Sequence, residues 1–127
     1  MGEAMCEALT KAGFKVTAWN RTKSKADALL AKKLVEAVAN SAAEAVTATK
    51  ATIFCLGGYG SLEGVMLERS IIAAVKGKQV IILSAMTIED AKNVDKRVTE
   101  AGGICSGLEV AAFPDGIRRK QAFVSYT

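Results

Sequence analysis

The chain has 127 residues, 50% of them apolar and 24% charged, with a formal net charge of +4, one proline and no histidine. Such a length suits one domain around one core that buries roughly two thirds of the unfolded surface, and the composition excludes a disordered or collagen-like chain. The lack of histidine excludes imidazole as base, acid or metal ligand within these residues, and a basic charge scattered among acidic residues, outside clusters at 21–25, 32–33 and 118–120, excludes a nucleic-acid stripe with interleaved aromatics.

Cys6, Cys55 and Cys105 are odd in number, far apart and set in apolar surroundings. They read as small core residues in a reducing compartment, not as a disulfide framework or a zinc ligand set. The first fifteen residues carry Glu3 and Glu7 and no apolar signal region, and no apolar run is long enough to cross a bilayer. The expectation is a cytoplasmic protein with no metal site and neither nucleic acid nor membrane as a partner.

Apolar positions at Met1, Met5, Ala8, Leu9 and Ala12 recur at helical spacing, and Gly13 follows as a stop. Phe14, Val16 and Ala18 alternate with Lys15 and Thr17, which predicts a short strand ending near Asn20. Thr22 can cap a second helix that reaches Lys32 and Lys33, and a brief strand is expected at Leu34 and Val35. Ser41 and Glu44 have the spacing of a capping box for a helix to about Thr47. The runs ATIFCL (51–56) and QVIILS (79–84) are continuously apolar, which predicts strands of a parallel sheet buried on both faces. Between them a helix is expected from about Ser61 to Val75; after them, Thr87 and Asp90 open another that ends at Gly102 and Gly103, and AFVSYT (122–127) closes the chain as an alternating segment. Strand and helix alternate, the pattern of a right-handed parallel α/β fold.

Ligands of open parallel sheets bind beyond the carboxyl ends of the strands. Three such tips carry polar or glycine residues: Asn20, Arg21 and Thr22; Gly57, Gly58 and Tyr59; and Ser84 with Thr87. A carboxylate at the first tip would accept bonds from the ribose 2′-hydroxyl of NAD, whereas Arg21, with Thr22 and the amides opening the next helix, suits the 2′-phosphate of NADP. The other reading is a solvated basic turn with a threonine helix cap, and the decapeptide VTAWNRTKSK alone leaves both open. Gly2 stands eighteen positions before Asn20 at the start of a helix, where the third glycine of a dinucleotide fingerprint belongs, although the first strand and the first two glycines are not in the chain.

Taken together, MGEAMCEALTKAGFKVTAWNRTKSKADAL, SAAEAV, ATIFCL, GKQVIILSAMTIEDAK and AGG resemble the amino-terminal cofactor domain of the β-hydroxyacid dehydrogenase superfamily. CLGGYGSLEGVM (55–66), GLEVAAFPDGI (107–117) and AFVSYT look like its NADPH-dependent imine reductase branch. The resemblance implies an α/β, Rossmann-like parallel sheet with flanking helices that lacks its first strand, a 6-phosphogluconate dehydrogenase-like NADP-binding domain over residues 1–127, truncated at both ends. The first strand is central in that fold, so two neighbouring strands are expected to lack their shared partner. It implies NADP(H) as cofactor, with Asn20, Arg21, Thr22 and Lys25 at the adenosine 2′-phosphate, Leu56 and the loop through Tyr59 beside the ribose and pyrophosphate, Ser84 near the nicotinamide and Gly2 at the helix start. Leu56 is equally a core residue, Tyr59 a cover for the sheet edge, Ser84 a strand-end cap and Thr87 a helix cap. Departures from the family pattern fall at Gly57, Ala85, Ile88 and Arg118 to Lys120.

For a complete relative the resemblance implies hydride transfer from NADPH to the carbon of a C=N bond of a small-molecule imine, or of a carbonyl. A helical carboxyl-terminal domain of a dimer mate supplies the proton donor, so no catalytic residue carries over to this chain and homodimerisation depends on that domain. The alternatives are carbonyl reduction of the β-hydroxyacid dehydrogenase or glyoxylate reductase kind, and a non-catalytic truncated fragment.

Overall fold

The computed structural model describes residues 2–57, 60, 64–65, 68–83, 86–111 and 123–126. In chain order the elements are α1 (Gly2–Lys11), β1 (Thr17–Ala18), α2 (Lys23–Ala31), β2 (Ala37–Val38), α3 (Ala42–Ala48), β3 (Ala51–Phe54), α4 (Arg69–Ala74), β4 (Gln79–Ile82), α5 (Ile88–Glu100), β5 (Ile104–Ala111) and β6 (Phe123–Tyr126). Parallel strands flanked by helices make this the expected Rossmann-like α/β architecture. The strands form two sheets: β1 pairs with β2, and a second sheet runs in the order β3-β4-β5-β6.

The parallel pairs are in register at Thr17 with Ala37, Phe54 with Ile82, and Ile82 with Gly107. This register puts Phe54, Val80 and Ile82 on one face, where they pack with Val46 of α3, Ile71 of α4, and Val94 and Val98 of α5 into the main core. The opposite face carries Ile53, Ile81 and Ile104. The first two are only half-buried and Ile104 is 65% exposed, so the expectation of burial on both faces is met on one.

Local chemistry sets the ends of most elements. Gly13 takes φ +92 after α1, and the amide of Phe14 donates to the carbonyl of Leu9 at 3.1 Å, the left-handed helix stop that glycine makes without a Cβ clash. Thr87 and Asp90 form a full capping box on α5. Ser41 caps α3 by accepting the Glu44 amide, but the Glu44 carboxylate reaches one residue further back than expected, to the amide of Asn40 at 3.4 Å.

Three further expectations are corrected. The strand expected at Leu34 and Val35 lies at Ala37–Val38, because the amide of Leu34 is used by the Leu29 carbonyl to end α2 and its carbonyl accepts the Thr10 hydroxyl at 2.7 Å. The helix expected from 61 to 75 is interrupted: Gly60, Gly64 and Val65 are helical, Glu68 is extended with ψ 134, and α4 starts anew at Arg69. That break lets the Glu68 carbonyl accept the amides of Ile71 and Ile72 and turns Ile71 and Val75 fully into the core. Lastly, β5 is a strand that the sequence reading does not name, and the closing segment pairs with it antiparallel, Val110 opposite Val124, so β6 ends the strand order of this sheet.

Candidate cofactor site

The first strand tip is an exposed turn built by its own side chains. Asn20 Oδ1 accepts the backbone N–H of Thr22 at 2.9 Å, and the amide of Lys25 donates to the Thr22 carbonyl at 3.0 Å as α2 begins. Thr22 occupies the N-cap position with φ −91 and ψ 98, yet its hydroxyl makes no cap bond. The expected threonine cap is therefore an Asx turn: the asparagine oxygen satisfies the Thr22 amide, and the threonine hydroxyl stays outside the helix's own bonding.

Charge at the tip is uneven. Lys23 pairs with Asp27 one helical turn on, at 3.6 Å. Among the described residues neither Arg21 nor Lys25 has an ion-pair partner. Arg21 thus precedes, and Lys25 lies within, the first turn of a nine-residue helix, the end at which free amides and the helix dipole favour an anion. An anion with several oxygens fits such a donor set.

Next to this tip a cleft of about 920 Å³ runs between β1 and β3. Gly2, Asn20, Lys25 and Leu56 all line it, whereas Arg21 and Thr22 lie on the exposed turn outside its lining. Leu56 also packs against the main core, so its core role and its place beside the cleft coexist. Tyr59 and Ser84 lie outside the described residues. Thr87 is occupied as the α5 cap.

Sequence reasoning missed several wall residues. Trp19 is half-buried and bridges core and cleft, and Cys6 of α1 faces the same space as Cys55 at the end of β3. Nothing in the local pattern links positions 6 and 55; only the tertiary fold does. Burial pushes the Cys6 thiol up, with Cys55 and then Glu3 adding to the rise, and burial does the same to Cys55. Both are protonated at neutral pH, which removes them as thiolate nucleophiles. No group of metal-ligating side chains occurs among the described residues, and no helix among them is long and apolar enough to cross a membrane.

Residues 1–111 match the family described as the NAD binding domain of 6-phosphogluconate dehydrogenase. The chain belongs to that family. As an NAD(P)-binding domain it is 35% identical over 108 residues to glyoxylate/succinic semialdehyde reductase 1 of Arabidopsis thaliana, an alignment covering 81% of this chain and 36% of the relative. Among solved structures it is 34% identical to an imine reductase of Streptomyces aurantiacus, with a TM-score of 0.88 over 98% of this chain and 43% of that one. A reductive aminase of Aspergillus terreus, solved with NADPH and ethyl levulinate, is 26% identical with a TM-score of 0.87, over 99% of this chain and 43% of that one. The chain therefore spans well under half the length of these relatives.

Proposed function

We propose that residues 1–127 form the NADP(H)-binding domain of an NADPH-dependent oxidoreductase of the imine reductase type. The observation that carries the proposal is the pair Arg21 and Lys25, both without an ion-pair partner among the described residues, set around the unspent Thr22 hydroxyl at the start of α2. A carboxylate there would select the 2′-hydroxyl of NAD and repel the 2′-phosphate of NADP. Here the guanidinium and the ammonium hold the phosphate, the Thr22 hydroxyl and the opening amides of α2 supply further hydrogen bonds, and Asn20 keeps the turn in shape.

Bound NADPH supplies a hydride to the carbon of a C=N bond. The residues of this chain bind and orient: Gly2 lets the cofactor pyrophosphate approach the start of α1 and Leu56 lines the cleft beside the ribose, while Tyr59 and Ser84 are assigned to the cofactor by the family resemblance alone. The proton donor belongs to a helical domain outside these residues, through which the protein forms a homodimer, and the protein works in the cytoplasm. The similarity to the Arabidopsis reductase favours a second reading, in which the acceptor is a small carbonyl and a lysine in the helix after the domain acts as its proton donor.

The test is calorimetric titration of the chain with NADPH and then NADH, once circular dichroism has shown it folded. At least about tenfold tighter binding of NADPH is expected, the worth of one charge-assisted hydrogen bond. Equal affinity for the two would remove the phosphate clamp.

A further inference from the structure

Ser24 is the second residue of α2 and is exposed. Ala26, two positions on, is buried in the core, and at 3.6 residues per turn Ser24 lies about 160° round the helix from it, on the side that faces solvent. Among the described residues its hydroxyl makes no hydrogen bond. The side chains around it in the chain are cationic: Arg21 stands three residues before it, and Lys23 and Lys25 flank it. Asp27, the one carboxylate in this stretch, is held by Lys23 at 3.6 Å, which leaves Arg21 and Lys25 without an ion-pair partner among the described residues. Residues 21–27 therefore carry three cations against one carboxylate. A phosphoserine brings a charge of about −2 and three acceptor oxygens, enough to neutralise the two uncompensated cations.

We propose that Ser24 is a phosphorylation site for a serine kinase that reads basic residues, and that the phosphoserine takes Arg21 and Lys25 away from NADPH. In the transfer the Ser24 oxygen bonds to the γ-phosphorus of ATP, the bond from that phosphorus to the β-phosphate oxygen breaks, ADP leaves, and the hydroxyl proton passes to the kinase. An arginine three residues before the serine with a lysine on either side is the kind of charge pattern by which kinases select substrates. Once attached, the phosphate is tethered beside the cations and competes for them at an effective concentration on the order of millimolar, and its charge repels a second phosphate. NADH carries no phosphate on its adenosine 2′-oxygen and is spared. The modification stands on the free hydroxyl and its basic flank, whereas its effect on NADPH rests on the cofactor reading above.

The test has three measurements. The full chain is incubated with magnesium ATP and a serine kinase selective for arginine three residues before its target, and mass spectrometry locates the phosphate. It is expected on Ser24, and its absence there would overturn the proposal. Phosphorus NMR then follows the titration of the phosphoserine. Lys25→Ala, which keeps the arginine that the kinase reads, should raise its midpoint by about 0.3 pH unit, and an unmoved midpoint would show that Lys25 does not hold the phosphate. Finally, the phosphorylated and unmodified chains are titrated with NADPH and NADH. Phosphorylation should weaken NADPH at least about tenfold and NADH by less than about threefold. An unchanged NADPH affinity, or an equal fall for both nucleotides, would overturn the switch. An unmodified chain without preference for NADPH would sink the cofactor reading and the effect on NADPH with it, while the first two measurements still decide the modification and its cation contacts.

Discussion

Asn20 accepts the backbone N–H of Thr22 at 2.9 Å, so a side chain two residues upstream does the work a helix cap would do. The consequence is a free threonine hydroxyl beside two unneutralised cations at the end of β1.

Replacing Arg21 with alanine removes one of those cations from an exposed turn and leaves the Asx turn intact. We expect NADPH affinity to fall at least about tenfold and NADH affinity to stay within about twofold, with the NADPH loss shrinking as salt rises. Calorimetry at two ionic strengths reads all of these. An equal loss for both nucleotides would place Arg21 outside the phosphate site.

Thr22 and Thr87 are both N-cap residues, but only the Thr87 hydroxyl oxygen accepts a helix amide, that of Asp90 at 3.1 Å. Thr87→Ala should therefore cost about 1 kcal/mol and Thr22→Ala less than about 0.5 kcal/mol in urea unfolding. Similar losses for the two would show that Thr22 caps its helix in solution.

Gly103 is enclosed where α5 turns into β5. An added Cβ would meet the Val75 carbonyl oxygen and Val98 Cγ1, each at 2.9 Å, and the carbonyl belongs to backbone that cannot step aside. Gly103→Ala should destabilise the domain by about 2 kcal/mol through overpacking. Gly57→Ala, with open space around it, is the control and should be nearly silent in thermal melts.

Burial, with Asp95 adding to it, pushes the Cys105 thiol up to about 11. The folded state thus holds a proton that the unfolded state releases above the ordinary thiol value near 8.5. Stability from this group is complete below that value and is lost as pH rises toward about 11. Cys6 and Cys55 shift in the same direction and add to the slope. Urea midpoints should fall between pH 8 and pH 10.5, and less so in Cys105→Ala; a midpoint that rises would contradict the sign.

The sequence was most legible where the deciding interactions are local. Gly13 ends α1, Ser41 and Thr87 open α3 and α5, and the apolar runs 51–56 and 79–84 contain β3 and β4, because caps, glycine stops and apolar patterning act within a few residues. The 61–75 helix failed at Glu68, where periodicity continues but burial of Ile71 and Val75 requires a new helix axis. The strand at 34–35 failed because α2's own end consumed the amide of Leu34.

The sequence by itself determined the alternation of strands and helices, the basic tip after β1 and the family to which the chain belongs, since each rests on residues adjacent in the chain. The two unjoined strand edges were expected from the resemblance, whereas tertiary structure alone decided that Cys6 and Cys55 share the wall of the cleft between β1 and β3 and that β6 returns antiparallel to β5. Those outcomes depend on backbone hydrogen bonds and apolar contacts between segments tens of residues apart, and such pairings leave no mark in a local pattern.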